Sequence, residues 1–436
     1  MSIPLLVIMR ALTVNRQLGW LAIWCFYLAN WVGQDYFSPQ ALAFLLYLVV
    51  LAALLTWLRA TPPRPVRWAR LRAAPGEEDP GIAVPAATRA TLVALVMLMF
   101  AAIVASHQLT PFALLPGTIA LVGLRRCFAR GLPLAMALIV TAWLSYMAAS
   151  YLGGHAGALT AGIGNLDSTV TQGVGARLHG DRGHVFVTHA RIAVALGFWV
   201  LAALGALRRA RKGHDDLSAI ALGVGPFVLP LLQPYGGEIF LRIFLFSLPL
   251  TAFFVAALFL TPFSLGRRRA MALALSGLTV MAAITLLLTR YGNEQMDWFS
   301  RDEVTAVQRL YQAAPPGSTL VSWTGSLPWK YRDYANHHYR EVANTASWRA
   351  VATLPGGSRA QAAALEAKMR AERRGAYLIL TRSQEAETAL TGSAAPDAIQ
   401  RLRRLLPTLP GFRLIYANRD ASVFGLALQA APRGGP

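Results

Sequence analysis

Four stretches of the sequence place ionisable groups where the surroundings are otherwise apolar. Asp35, in WVGQDYFSPQ (31–40), is the only charged residue between positions 17 and 58. Trp31, Tyr36 and Phe37 beside it are residue types that collect where hydrocarbon meets water. A carboxylate at such a low-dielectric edge has a raised pKa and suits general-base work; the same residue also serves as an ordinary loop acid or helix cap. His107 lies in a second compact turn, SHQLTPF (106–112). An imidazole there can donate to a phosphate or hold Asp35 in position, or be satisfied by the backbone of a turn beside Pro111. Glu238 and Arg242, in QPYGGEIFLRIFLFSLP (233–249), are four residues apart and share a helix face. A guanidinium binds phosphate bidentately, and the same pair can close a helix end as a structural ion pair. Gln34, Tyr36, Gln108 and Tyr235 flank these groups as candidate substrate contacts, and Gly236-Gly237 permit close approach of a ligand or backbone.

The fourth stretch, 153–190, carries His155, Asp167, His179, Asp181, Arg182, His184 and His189. Neither His179-Gly180-Asp181 nor His184-x4-His189 is an established metal spacing. The Gly-rich composition reads as a mobile loop that covers a substrate. Cys25 and Cys127 match no metal or redox spacing and read as isolated thiols.

The elements that must position these groups follow from composition. The 436 residues are 55% hydrophobic and 14% charged, against about 25% charged in an average soluble domain. That excludes a disordered chain and argues against an ordinary cytosolic enzyme. Nine apolar segments, roughly 17–33, 41–58, 91–106, 112–124, 132–152, 191–207, 217–234, 239–262 and 270–289, read as membrane-spanning helices. The segment 112–124 is short and contains Pro116 and Gly117, so it tilts or re-enters. A formal charge of +20 would suggest nucleic acid in a soluble protein. Here its distribution speaks for topology. Eighteen Lys and Arg fall at the N-terminus and in alternate loops, while the opposite loops hold Arg177, Arg182, Arg191, Arg242 and Arg290. The positive-inside rule then puts the N-terminus in the cytoplasm and the chain after Arg290 outside, as nine crossings require. Nucleic acid drops out as a partner. The Pro/Arg-rich linker 59–90 would lie on the anionic headgroups of membrane lipids.

Residues 291–436 change character. Ser300-Arg301-Asp302-Glu303 is a capping box opening the helix VTAVQRLYQAA, stopped by Pro315-Pro316-Gly317. A strand at 318–323, a helix at 358–374, a strand at 376–381, a helix at 396–406 and a hairpin in FRLIYANRDASVFGLAL follow. The expectation is a polytopic α-helical membrane domain (1–290), with its N-terminus inside and about nine transmembrane helices, and a C-terminal extracytoplasmic α/β domain (291–436).

The chain resembles the GT-C glycosyltransferases, membrane enzymes that use polyprenyl-phosphate-linked sugars. The likeness rests on an acid in the first outer loop, on the many spans with an outer α/β tail, and on YGNEQMDWFSRDEVTAVQRL and RLIYANRDASVFGL in that tail. GQDYFSPQ, SHQLTPF and GGEIFLRIFLFSLP are similar to uncharacterised actinobacterial relatives. The resemblance implies an enzyme of the plasma membrane acting on its outer face. Asp35 and His107 would be catalytic. Glu238, Arg242, Gln34, Tyr36, Gln108 and Tyr235 would bind substrate, with a glycan, lipid or protein as acceptor. It leaves open a divalent metal, magnesium or manganese, as cofactor. The chain departs from the family pattern in carrying one first-loop acid where many members carry two. Two other readings use the same features: a transporter or flippase of a lipid-linked substrate, and a non-catalytic envelope scaffold.

Overall fold

The computed structural model describes the chain apart from residues 34–37, 61–84, 150–170, 172–174, 176, 177, 232–237, 261–267, 332, 396 and 427–436, and apart from the side chains of 86, 268–272 and 274. It divides into two compact units, Met1–Ala176 with His189–Arg290, and Arg177–Thr188 with Tyr291–Pro436.

The first unit is built from helices α1 (Ser2–Leu12), α2 (Arg16–Ala29), α3 (Pro39–Thr56), α4 (Ala86–Ser106), α5 (Thr110–Gly123), α6 (Leu132–Ala142), α7 (Arg182–Arg211), α8 (Leu217–Val224), α9 (Ile239–Phe259) and α10 (Arg268–Tyr291). The first turns of α7 group with the second unit. Local chemistry sets several starts. Asn15 Oδ1 accepts the Gln17 and Leu18 N–H groups at 3.0 and 3.2 Å, and Ser38 Oγ accepts Ala41 N–H at 3.1 Å ahead of Pro39.

Each of the nine apolar segments contains helix, but among the described residues only four helices are long and apolar enough to cross a membrane. These are Pro39–Thr56, Ala87–Ser106, Arg182–Arg211 and Ile239–Phe259. The expectation of about nine such helices therefore meets four, and backbone chemistry explains part of the difference. Pro116 interrupts the 14-residue α5. The segment at 217–234 gives way after α8 to a 3-10 helix, Gly225–Leu231, that contains Pro230. Helix α6 ends in a π turn, Trp143–Met147. Helix α1 adds an element the sequence reading lacks. It packs on α2 and α3 with Leu5, Ile8 and Met9 buried.

Helix α9 lies at the centre and is apolar on every side, with Phe244, Leu245, Phe246, Leu248, Leu250 and Phe253 all buried. Polar ties meet it in the turn before Pro249, whose missing N–H leaves the Leu245 carbonyl without its helix donor. Tyr47 donates to the Phe246 carbonyl at 2.9 Å, and Trp199 Nε1 donates to Ser247 Oγ at 3.1 Å. Against α7 the two backbones nearly touch, because a Cβ on Gly205 would fall 1.9 Å from the Phe254 carbonyl oxygen. Such small-residue contacts let helices approach closely in lipid. Arg209 and Asp216, both buried, form a two-point ion pair at 2.7 and 3.0 Å, and Arg126 pairs with Asp215.

The second unit contains α11 (Glu294–Asp297), α12 (Arg301–Ala313), β1 (Thr319–Ser322), β2 (His338–Glu341), α13 (Arg349–Ala352), α14 (Arg359–Arg370), β3 (Ala376–Thr381), α15 (Arg382–Thr391), α16 (Ala398–Leu405), β4 (Phe412–Ala417) and β5 (Ala421–Leu426). The strands form one sheet in the order β2-β1-β3-β5-β4, parallel through β2, β1 and β3 and antiparallel beyond. Alternating side chains feed two cores. Val321, Leu378, Leu380 and Phe424 pack with α14 and α16, while Leu320, Ile379 and Val423 pack with α12. The capping box is present, with Ser300 N–H to Glu303 Oε2 at 2.8 Å and Glu303 N–H to Ser300 Oγ at 3.2 Å. The fully buried Glu303 also accepts the Ser383 N–H at 2.8 Å, so one carboxylate caps α12 and the start of α15. Asn418 Oδ1 accepts two N–H groups, from Asp420 and Ala421, and folds the closing hairpin.

The α7–α9 contact yields a matched pair of substitutions on one helix. Gly205→Ala meets backbone and should lower the melting temperature of the detergent-solubilised protein sharply, by the equivalent of about 3 kcal/mol or more. Gly197→Ala, where a Cβ has no neighbour within 4 Å, should leave it unchanged or raise it slightly. Equal effects would show that the close approach is not limiting.

Candidate functional site

The chemistry-bearing residues of the first unit gather at the end of the bundle where α2 finishes and α3 begins. Beyond Ala29, Trp31 is 7% exposed and stacks on Phe244 of α9 with ring centroids 5.7 Å apart. The Arg191 guanidinium lies 5.6 Å from its ring and donates through Nε to the Thr289 carbonyl at 2.6 Å. The indole N–H of Trp31, buried, has no acceptor among the described residues, and neither does the Nε2 of Gln40. Gly33 has φ +60, and a Cβ there would sit 3.2 Å from the guanidinium of Arg290. Both the left-handed backbone and the packed cation demand glycine.

His107 caps α4 in extended conformation and reaches three residues forward. Its Nδ1 accepts the Thr110 N–H at 3.3 Å and lies 2.8 Å from Thr110 Oγ1, so the ring itself caps α5. A nitrogen that accepts a backbone N–H carries no proton, which places the proton of the neutral ring on Nε2. Burial in this turn, helped by the positive charge of Arg242, pulls the His107 pKa from 6.5 down to about 4. The arrangement equips His107 as a neutral hydrogen-bond donor rather than as an imidazolium acid. Gln108 is exposed in the same turn.

Glu238 and Arg242 form the expected i,i+4 pair at the start of α9, at 2.5 Å. The pair is lopsided. The Glu238 side chain is 42% exposed and that of Arg242 only 11%. The Arg242 Nε is buried without an acceptor among the described residues. The positive charge of Arg242 is felt at His107, so the α4–α5 turn and the first turn of α9 share one electrostatic neighbourhood. Asp35, Gln34, Tyr36 and Tyr235 lie outside the described residues.

Sequence reasoning passed over Trp31, Arg191 and Arg290 as members of this site. The signal was available, since Arg191 stands directly before an apolar helix run, where a charge is costly. Residues 182–190, expected as the end of a loop over 153–190, belong to α7, which starts at Arg182. His184 and His189 are therefore helical, and His184 Nδ1 meets Asn293 Nδ2 at 3.1 Å. Asp181 Oδ2 accepts Gly183 N–H at 2.7 Å, a capping contact. His155 and Asp167 lie outside the described residues. Among the described residues no group of three or more His, Cys, Asp or Glu side chains is placed to hold a metal ion, and Glu238 faces Arg242. No protein-family model matches the chain, and no curated protein matches it.

The low His107 pKa has a direct readout. Between pH 6.5 and 4 the unfolded chain binds more protons at this site than the folded one, so the stability contributed by the neutral ring is complete above about pH 6.5 and is lost as pH falls toward 4. In 15N-labelled protein the His107 imidazole should titrate near pH 4 from the Nε2–H tautomer, and Arg242→Gln should move the midpoint upward. A midpoint near 6.5 in both proteins would contradict the assignment.

Proposed function

We propose that this protein is an integral-membrane glycosyltransferase that moves a sugar from a polyprenyl-phosphate donor to an acceptor at the outer face of the plasma membrane. Its N-terminus is cytoplasmic, its helical segments cross the bilayer about nine times, and its C-terminal domain is extracytoplasmic. The observation that supports this reading best is the electrostatic coupling of the largely buried Arg242 to the neutral His107 at one end of an apolar helix bundle, where Trp31 stacks on Phe244, two residues beyond Arg242. A largely desolvated guanidinium at a membrane edge suits a phosphate, and a membrane-soluble donor brings one to that depth.

In this mechanism the carboxylate of Asp35 takes the proton of an acceptor hydroxyl. The hydroxyl oxygen attacks the anomeric carbon as the bond from that carbon to the phosphate oxygen breaks. The departing polyprenyl phosphate keeps the electron pair, and its charge is stabilised by Arg242 and by hydrogen bonding from His107 Nε2–H. The exposed half of Glu238 holds Arg242 in place and leaves the guanidinium oriented.

Asp35→Asn keeps size and polarity and removes the base. It should lower sugar transfer from a polyprenyl-phosphate donor by about 10²–10⁴-fold with unchanged expression and melting temperature. Undiminished transfer would exclude the catalytic role. Build-up of a lipid-linked precursor on the cytoplasmic leaflet in that variant would point to transport instead.

A further inference from the structure

Between the first turns of α4 and α6 lies a groove of about 580 Å³. On α4 it runs from Arg89 to Met97, about 12 Å along the helix axis. Phe128, Leu132 and Ala135 stand on the facing wall. Every lining residue except Arg89 is apolar. It is a surface groove rather than an enclosed cavity. Ala90, Ala94 and Gly131 are exposed, and a Cβ on Gly131 would meet no atom within 4 Å. Helix α4 is long and apolar enough to cross a membrane, and only 22% of its apolar stretch is buried within the fold. A groove along such a helix meets hydrocarbon rather than water.

Its one charge is at one end. The Arg89 guanidinium lies 4.8 Å from the centre of the Phe128 ring, which belongs to the opposite wall, so the cation reaches across the mouth. A cation this close to the start of a helix opposes the helix dipole. No acidic residue stands in the first turn of α4, and none lines the groove. Arg130, exposed, stands between Ala129 and Gly131, two more residues of the lining. An anion at this mouth would meet the Arg89 guanidinium, have a second one a residue away, and remove the conflict with the dipole.

We propose that this groove seats an anionic glycerophospholipid: one acyl chain lies between α4 and α6, and Arg89, with Arg130 beside it, holds the phosphate of the headgroup. Basic mouths between membrane helices recognise anionic headgroups in this way. Charge complementarity separates this occupant from the bulk bilayer. A zwitterionic lipid fills the groove equally well but brings an ammonium group that opposes the arginines. Inorganic phosphate meets the arginines but leaves the groove empty. The groove is distinct from the site of Arg242 and His107, because His107 precedes α5 and Phe128 follows it, with the 14 residues of that helix between them. The assignment rests on the apolar helices lying in a bilayer and not on glycosyl transfer.

Native mass spectrometry of the full-length protein in detergent tests this directly. Phosphatidylglycerol should be retained over phosphatidylcholine of the same acyl chains by roughly tenfold. Arg89→Gln with Arg130→Gln should bring the two lipids to parity. Arg10→Gln with Arg16→Gln removes the same charge from exposed positions outside the groove and should leave the preference intact. Ala94→Trp fills the groove and should lower retention of phosphatidylglycerol. Leu134→Trp, at an exposed position of α6 outside the groove, should not. Excess inorganic phosphate should leave the lipid in place. Equal retention of the two lipids by the unaltered protein, the same loss of preference in both arginine pairs, equal effects of the two tryptophans, or displacement by phosphate overturns the proposal. Asp35→Asn should keep the lipid preference whatever it does to sugar transfer, so the two proposals fail separately.

Discussion

Helix α9 has no face that it can show to water, and the bundle is arranged around that fact. Buried on most sides, it is held by polar ties as well as by apolar packing. Tyr47 and Trp199 reach in from α3 and α7 to the Phe246 carbonyl and the Ser247 hydroxyl, in the turn before Pro249. Gly205 lets α7 lie close enough to seal the lower half of α9. The position of Arg242 then follows from the packing, since the same helix that fills the core starts with the ion pair.

Arginines stand at both ends of the bundle. At one end, Arg126 and Arg209 are buried against Asp215 and Asp216, and their charge is matched within the fold. At the other end, Arg191 and Arg242 meet aromatic rings, a backbone carbonyl, a half-exposed acid and a histidine kept neutral. Arg290 joins them against the bare backbone of Gly33. A neutral His107 suits this setting, because burial disfavours an imidazolium and Arg242 opposes a second positive charge beside it.

Patterns of hydrophobicity made most helices readable before the fold was known, and specific residues explain where they failed. Segment 217–234 looks continuous by composition, yet Pro230 and the backbone around it break it into a short helix and a 3-10 helix. The opening MSIPLLVIMR is too short to suggest a membrane element, and only tertiary contact with α2 and α3 makes it a buried helix. In the second unit the capping box and the closing hairpin carry their own local signals and were legible. Strand β2 was not, because HYRE lies at the sheet edge with exposed and half-exposed side chains and no apolar run. Helix α15 follows β3 without a loop and its cap is the strand's last residue, Thr381, so punctuation is missing. At the site, the i,i+4 spacing of Glu238 and Arg242 was enough to find that pair. Arg191 and Arg290 are a hundred residues apart in sequence and become partners of one turn only through the packing of α7 and α10 on α2.

The double duty of Glu303 has a consequence for how the tail comes into being. The carboxylate that starts α12 also receives the N–H of a residue 80 positions later. At ordinary synthesis rates of about 5–20 residues per second, roughly 4–16 s separate the two partners as they emerge. Through that interval the nascent α12 has its own cap but not the contact that binds it to the sheet. The C-terminal unit is therefore assembled late and as a whole, and until Ser383 emerges it is a chain with one finished corner.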